Sequence, residues 1–190
     1  MSDQILLKNI TKSFGSNIVL KDYSLSIPTG KSVCLMGPSG IGKTTVFRLL
    51  LGLTLPDTGK VSTITPMSAV FQEDRLAESA SALSNLRLVT GRAKDESNLH
   101  LLHLLGLGEE GKKPVKEFSG GMKRRVAVAR ALAVDFEFLL MDEPFKGLDE
   151  ETKKITAEVI KTYSAGKTIL LISHDADEAA LLDADIIHFS

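Results

Sequence analysis

The chain has 190 residues, which is enough for one domain with a small subdomain and too few for two ordinary domains. Hydrophobic residues make up 43% of the sequence and charged residues 25%, which is typical of a globular protein and excludes a disordered or fibrous one. Lysine and arginine total 23 against 24 acidic residues; this net charge of -1 argues against nucleic-acid binding through overall positive charge, and no nucleic-acid partner is expected.

The cysteine content and the apolar stretches predict a protein of a reducing compartment that does not itself cross a membrane. The single cysteine, Cys34, cannot form an internal disulfide. It lies in the apolar run 33–36, where a buried, unreactive thiol is the favoured interpretation and a reactive thiol is the alternative. No secretory signal is visible, and the apolar stretches fall far short of the ~20 residues that span a bilayer. We therefore expect a cytoplasmic location.

Short β segments dominate the first seventy residues. β-branched or alternating residues between turn signals predict strands at 5–10, 23–27 and 32–36. Apolar residues then recur at helical spacing between 46 and 53, which predicts a helix. Two further strands are predicted at 60–64 and 69–71.

Helices dominate the rest of the chain, with short strands between them. Segment 74–111 is predicted to be helical. After it, the sequence predicts helix 121–133, strand 138–141, helix 149–163, strand 168–173, helix 175–182 and strand 185–189. This alternation is typical of a parallel sheet covered by helices on both faces.

A glycine-rich segment between strand 32–36 and the next helix fits the phosphate-binding P-loop pattern, Gly37-Pro38-Ser39-Gly40-Ile41-Gly42-Lys43-Thr44. Its glycines allow the backbone N–H groups to point inward at a phosphate, and the helix N-terminus adds its positive dipole end. Lys43 can reach the β- and γ-phosphates, and the Thr44 hydroxyl can ligate Mg²⁺. Thr45 could also be a simple helix-start residue. An ordinary glycine turn, the alternative, would leave Lys43 and Thr44 unexplained.

Two carboxylates follow the predicted strand 138–141. Ligands bind at the carboxyl ends of parallel strands, where the P-loop also lies. Asp142 would then hold Mg²⁺ directly or through water, and Glu143 would orient and polarise an attacking water. Acid pairs after a strand are also common as helix-start residues, but a P-loop in the same chain favours the catalytic interpretation.

A second helix start could also bind phosphate. Ser119, Gly120 and Gly121 precede the predicted helix 121–133, although an ordinary N-cap explains these residues equally well in isolation. The basic run 123–125 that follows is predicted to be a solvated helix face.

Together these segments resemble the ATP-binding cassette (ABC) ATPase family, in whose signature sequence Ser119, Gly120 and Gly121 would lie. The resemblance covers essentially the whole chain, with the motifs in the family's order. It implies that Phe14 stacks on adenine, that Gln72 contacts Mg²⁺ and the attacking water, and that His174 lies near the γ-phosphate. Residues 147–149, Gly-Leu-Asp, resemble the family's D-loop.

The resemblance implies a role for each candidate site residue. The nucleotide-binding residues would be Phe14, Gly37, Ser39, Gly40, Gly42, Lys43, Thr44, Thr45, Ser119, Gly120, Gly121 and Met122. The catalytic residues would be Lys43, Gln72, Glu143 and His174. The ligands of Mg²⁺ would be Thr44, Gln72 and Asp142.

The sequence also departs from the family pattern. Phe118 stands where leucine is usual, Met122 where glutamine is usual, and Gly147 where alanine is often found. Relatives usually run a few dozen residues longer; segment 59–72 is compressed, and the chain ends just after strand 185–189. We therefore expect a near-minimal nucleotide-binding domain without the family's usual C-terminal extension.

The implied fold is α/β: a P-loop NTPase core with a mostly parallel sheet, an N-terminal antiparallel β region and a small inserted helical subdomain. The whole chain, 1–190, would form one nucleotide-binding domain. Segments 1–73 and 117–190 would form the core, and 74–116 the helical subdomain.

The implied function is ATP hydrolysis for a membrane transporter. Segments 71–76 and 143–145 resemble bacterial importer ATPases, particularly those of the nitrate, sulfonate and taurine type. The partners would be a transmembrane permease and a second copy or like chain, with each ATP between one chain's P-loop and the other's signature. The chain would lie on the inner face of the cell membrane. The alternatives are a soluble ABC ATPase that acts on DNA or ribosomes and a P-loop nucleotide kinase outside this family.

Overall fold

Two β-sheets form the framework of the computed structural model, which describes residues 4–189. The N-terminal sheet is antiparallel and contains β1 (Gln4–Phe14), β2 (Asn17–Pro28) and β4 (Thr58–Ser62), with β1 in the centre. The second sheet has the order β5-β6-β7-β3-β8, and every pair of neighbours in it is parallel. Its strands are β3 (Ser32–Met36), β5 (Met67–Val70), β6 (Phe138–Asp142), β7 (Thr168–Ile172) and β8 (Asp185–His188).

In the part of the chain that the structure describes, six α-helices connect these strands: α1 (Lys43–Leu50), α2 (Ala82–Thr90), α3 (Asp95–Leu104), α4 (Gly120–Leu132), α5 (Glu150–Tyr163) and α6 (Ala176–Leu181). Short 3-10 helices lie at Arg92–Lys94 and Val115–Glu117. Four of the helices begin at a capping side chain that accepts a backbone N–H of the first turn: Ser81 for α2, Ser119 for α4, Asp149 for α5 and Asp175 for α6. Within residues 4–189, no helix has the length and hydropathy to cross a bilayer.

The parallel sheet separates two apolar clusters because successive side chains of a strand point to opposite faces. On β6, Phe138 and Leu140 pack with α1 and the antiparallel sheet, whereas Leu139 and Met141 pack with the other helices. All five residues of β6 and of β7 are buried. Cys34 lies in the second cluster, and burial raises the pKa of its thiol to about 11. The predicted buried thiol is therefore confirmed.

The predicted fold class is confirmed by the two sheets and by the solved structures described below. The first two strands are longer than predicted, and their pairing extends as far as Phe14 opposite Asn17. Register shifts after Leu7, Ile10 and Lys12 break the alternation that sequence analysis relies on. Segment 74–111 contains two separate helices, α2 and α3, between β5 and β6. Residues 1–3 and 190, which the predicted domain includes, lie outside the described residues.

The topology brings the ends of the central strands to one edge of the sheet. Because β3, β5, β6 and β7 are parallel, the segments that follow them start side by side. These segments begin at Gly37, Phe71, Glu143 and Ser173, respectively.

Candidate active site

A cavity of about 340 Å³ lies at the carboxyl ends of the parallel strands. It is lined by Phe14, Val19, Ser39, Gly40, Gly42, Lys43, Thr44, Thr45, Gln72, Asp142, Glu143, Ile172 and His174. Sequence analysis predicted all of these residues except Val19 and Ile172. The structure therefore brings together candidates from segments far apart in the sequence.

Gly42 shapes the P-loop at the start of α1. Its φ of 121° lies in the region that favours glycine, and an added Cβ would lie 3.0 Å from the Leu20 side chain. Its carbonyl accepts the N–H groups of Thr45 at 2.9 Å and Val46 at 3.0 Å. No side chain caps this helix, so the N–H groups of its first turn and its positive dipole end are available to an anion.

Lys43 supplies the positive charge of the loop. Its Nζ donates to the carbonyl oxygens of Gly37 at 2.7 Å and Pro38 at 2.8 Å, which ties the helix to the start of the loop. Gly37 takes part only through this carbonyl and does not line the cavity. Burial lowers the pKa of Lys43, while the charges of Asp142 and Glu143 oppose that change.

Asp142 and Thr44 place two oxygen atoms side by side. The Thr44 hydroxyl donates to the Asp142 carboxylate at 3.3 Å. Burial raises the pKa of Asp142, and the charge of Glu143 adds to this, whereas the Thr44 hydrogen bond, Arg124 and Lys43 act in the opposite direction. Carboxylate and hydroxyl oxygens are ligands that suit Mg²⁺, so the donor set fits that ion.

Glu143 lies directly after Asp142 and carries an unusual backbone. Its φ is 51°, in the left-handed region that costs a non-glycine residue about 1–3 kcal/mol. Its N–H donates to the carbonyl of Ile172 at 2.9 Å. Its carboxylate lies 3.3 Å from His174 Nε2 and 3.6 Å from Lys146 Nζ. The geometry therefore pairs the candidate base, Glu143, with His174.

The interpretation of run 123–125 as a solvated helix face is wrong for Arg124. Its side chain is only 3% exposed. The guanidinium donates to the main-chain carbonyls of Phe71, at 2.6 Å, and of Asp142. It donates to the carbonyl of Glu143 from both Nε, at 3.0 Å, and Nη2, at 2.6 Å. It also pairs with the Asp74 carboxylate at 2.9 Å.

These bonds explain how Glu143 keeps its backbone conformation. Two donors from Arg124 hold its carbonyl, and Ile172 accepts its N–H, so the peptide units on both sides are fixed. A strained residue persists only where its surroundings over-determine its geometry. Arg124 therefore sets the direction of the Glu143 side chain without lining the cavity itself.

The four candidate signature residues lie outside the cavity, at the N-terminus of α4. Ser119 Oγ accepts the N–H of Met122 at 3.2 Å. Gly121 packs so closely on Gly147 that an added Cβ on Gly121 would lie 2.9 Å from the Gly147 carbonyl oxygen. One chain alone therefore does not bring Ser119, Gly120, Gly121 and Met122 to its own P-loop.

Phe14 projects from the antiparallel sheet with 49% of its surface exposed. The Lys12 ammonium lies 5.4 Å from the centre of its ring. Asp57 holds this lysine at 2.8 Å and accepts the N–H of Ser13 at 2.7 Å. Sequence analysis missed both residues: Lys12 lies over the aromatic ring, and Asp57 holds Lys12 and the backbone of Ser13.

A larger cavity of about 550 Å³ lies elsewhere, between α3 and the segments at 132–137 and 163–167. Its lining includes Leu101, Phe136, Tyr163 and Lys167. No predicted site residue lines it among the described residues, so size does not identify the site in this protein.

Comparison with known proteins identifies the family. The ABC transporter family model matches residues 20–146. Lantibiotic transport ATP-binding protein SrtF of Streptococcus pyogenes is 34% identical over 96% of this chain and 85% of its own length. Taurine import ATP-binding protein TauB of Pseudomonas aeruginosa is 37% identical over 89% of this chain and 70% of its own length. Aliphatic sulfonates import ATP-binding protein SsuB 1 of Rhodococcus jostii is 37% identical over 95% of this chain and 77% of its own length.

Solved structures agree with this result. The dimeric structure of MJ0796, a bacterial ABC transporter cassette, has a TM-score of 0.88 and 28% identity, covering 97% of this chain and 94% of that chain. A post-hydrolysis state of the same cassette with ADP and Pi has a TM-score of 0.87 and 29% identity, covering 98% and 94%. The chain belongs to the ABC transporter family. It is an ATPase of that family, as the sequence predicted.

Asp142→Asn is expected to stabilise the metal-free protein increasingly as pH rises above about 4. The folded state raises the pKa of Asp142, so the folded protein holds this proton more tightly than the unfolded one. Its contribution to the free energy of unfolding therefore falls as pH rises above the unfolded value of about 3.9. Asparagine carries no such charge. Thermal unfolding of both proteins at several pH values measures the difference.

The control for this substitution is Asp185→Asn, at an exposed carboxylate on the edge strand β8. It is expected to change the free energy of unfolding by less than about 0.5 kcal/mol. A stability difference between Asp142→Asn and the parent protein that stays constant or shrinks with rising pH would contradict the burial argument.

Arg124→Met is expected to lower the free energy of unfolding by about 3 kcal/mol, because buried acceptors lose their donor. Urea denaturation measures this loss. Lys113→Met is the control, since Lys113 forms an exposed pair with Glu110 and is expected to matter by less than about 1 kcal/mol. Equal losses for the two variants would show that the buried hydrogen bonds contribute little.

Proposed function

We propose that this ATPase powers a membrane importer as a separate subunit on the cytoplasmic, inner face of the cell membrane. Its relatives TauB and SsuB 1 are named as import ATP-binding proteins, which supports import. SrtF, named for lantibiotic transport, supports a second candidate, transport of a lantibiotic. Either function needs a transmembrane permease as partner.

The proposal also assigns a role to each part of the chain. Segments 1–73 and 117–190 form the nucleotide-binding core, and 74–116 forms the helical subdomain. The helical subdomain and Gln72 form the groove for the permease. Exposed apolar side chains on α2 support this assignment: Leu88 is 70% exposed and Val89 48%.

ATP is bound between two chains in the proposed mechanism. The observation that carries this is the position of Ser119–Met122, which lie outside the cavity of their own chain. In a head-to-tail homodimer, or in a pair with a like chain, this helix start meets the partner's nucleotide. The N–H groups and dipole of α4 then face the γ-phosphate. The similar MJ0796 cassette is dimeric, which supports an assembly of two chains.

The cavity residues that the sequence predicted have places in this mechanism. Phe14 stacks on adenine, and the P-loop amides with Lys43 hold the phosphates. Glu143 accepts a hydrogen bond from the attacking water and polarises it, while His174, 3.3 Å away, holds that carboxylate and contacts the γ-phosphate. Gln72 orients the water. Thr44, Asp142 and Gln72 would hold Mg²⁺, which neutralises phosphate charge when bound.

Glu143→Gln is expected to bind ATP, to lose at least about 100-fold in turnover, and to accumulate as a dimer. Glutamine keeps the shape of the side chain but cannot polarise water as a base. Light scattering after size exclusion, with and without ATP, measures the mass. Glu151→Gln, at an exposed position on α5, is the control and keeps turnover. A Glu143→Gln protein that is monomeric at saturating ATP would refute the two-chain site.

A tagged chain is expected to co-purify in detergent with an integral membrane protein encoded beside its own reading frame. Leu88→Asp is expected to weaken this association, because it places a charge in the proposed apolar contact. Ile155→Asp on α5, also at an exposed apolar residue, is the control that keeps it. Stimulation of ATPase activity by DNA or ribosomes would favour the soluble alternative.

A further inference from the structure

A cluster of charges lies beside the loop that carries His174. At its centre is Lys153, in the second turn of α5, whose side chain is only 15% exposed. Its Nζ lies 3.2 Å from Glu178 and 3.7 Å from Asp175, both in the segment that follows His174. A third carboxylate, Glu150, lies 3.2 Å away on α5 itself.

The cluster reaches the backbone next to His174. Glu178 is buried, and its second carboxylate oxygen accepts the Ser173 hydroxyl at 2.6 Å. Ser173 Oγ in turn accepts the N–H of Asp175 at 3.0 Å. The residues on both sides of His174 are therefore held by one short series of hydrogen bonds that ends at Lys153.

The series depends on the charge of Lys153. A buried carboxylate such as Glu178 is costly without a cation beside it, and loss of one partner destabilises the other. Asp175 also caps α6 by accepting the N–H of Asp177 at 2.9 Å. Loss of Lys153 would therefore loosen both Glu178 and the turn that precedes α6.

Helix α5 connects this cluster to the signature region. Its N-cap, Asp149, ends the segment 147–149, and the Gly147 carbonyl lies against Gly121 at the start of α4. Lys153 follows Asp149 by one turn, and its N–H donates to the Asp149 carbonyl at 2.8 Å. A shift of segment 147–149 would therefore carry Lys153 with it.

We propose that Lys153 is a positioning residue that, through Glu178 and Ser173, holds His174 against Glu143 and couples that contact to segment 147–149. This inference rests on the role proposed above for Glu143 and His174. Through this coupling, the position of the D-loop-like segment controls whether the 3.3 Å contact between His174 and Glu143 is made.

Steady-state ATPase kinetics test the proposal. Lys153→Met is expected to lower kcat by about 10- to 100-fold while KM for ATP stays within about twofold, because chemistry is misaligned and binding is not. Lys153→Arg keeps the cation and is expected to restore most of kcat. Lys161→Met is the matched control on the same helix, where Lys161 pairs with Glu158 and Asp183 away from the His174 loop.

The outcomes separate this inference from the proposed function. An unchanged kcat in His174→Ala would refute the role of His174 itself. If His174→Ala is inactive but Lys153→Met behaves like Lys161→Met, the positioning role is overturned. A lowered melting temperature with normal kcat per folded protein would also overturn it. If Lys153→Met does not fold, Ser173→Ala breaks the same series, and an unchanged kcat there is decisive against the proposal.

Discussion

The candidate site depends most on the hydrogen bonds that the buried guanidinium of Arg124 donates. The guanidinium joins α4 to the ends of β5 and β6 by donating to three main-chain carbonyls, in addition to its pair with the Asp74 carboxylate. Backbone acceptors fix the path of the chain, so one side chain sets the positions of the segments around Gln72 and Glu143 together. Ser119 is the N-cap of α4. Arg124, on the same helix, therefore links a chain's own catalytic carboxylate to the helix start that is proposed to face the partner chain.

The site also holds charges where the fold alone would not favour them. Burial disfavours the charged forms of both Lys43 and Asp142, and each offsets part of the cost for the other. Glu143 adds a strained backbone conformation at the same site. Such local costs are expected at functional sites and are compensated elsewhere, here by two well-separated apolar clusters. The arrangement suits an anionic ligand accompanied by a cation.

Sequence analysis predicted the class of fold and nearly all of the cavity lining, because P-loop chemistry and fully apolar strands leave short, local patterns. It missed Arg124 because a basic triplet favours a solvated face. Helical spacing contained a signal, since Arg124 lies one turn before buried Ala127 and Val128. No local signal existed for Asp57, which supports Lys12 across 45 positions of the sequence. Only the folded topology brings these two together.

The burial of Cys34 has a practical consequence for measuring motion in this ATPase. At a pKa of about 11, almost no thiolate forms at neutral pH, and the side chain has no exposed surface to meet a reagent. Thiol reagents are therefore expected to leave Cys34 unmodified in the folded protein. A cysteine introduced at an exposed position, on α2 or beside Ser119, could carry a fluorophore, a spin label or a cross-linker while the native thiol stays untouched.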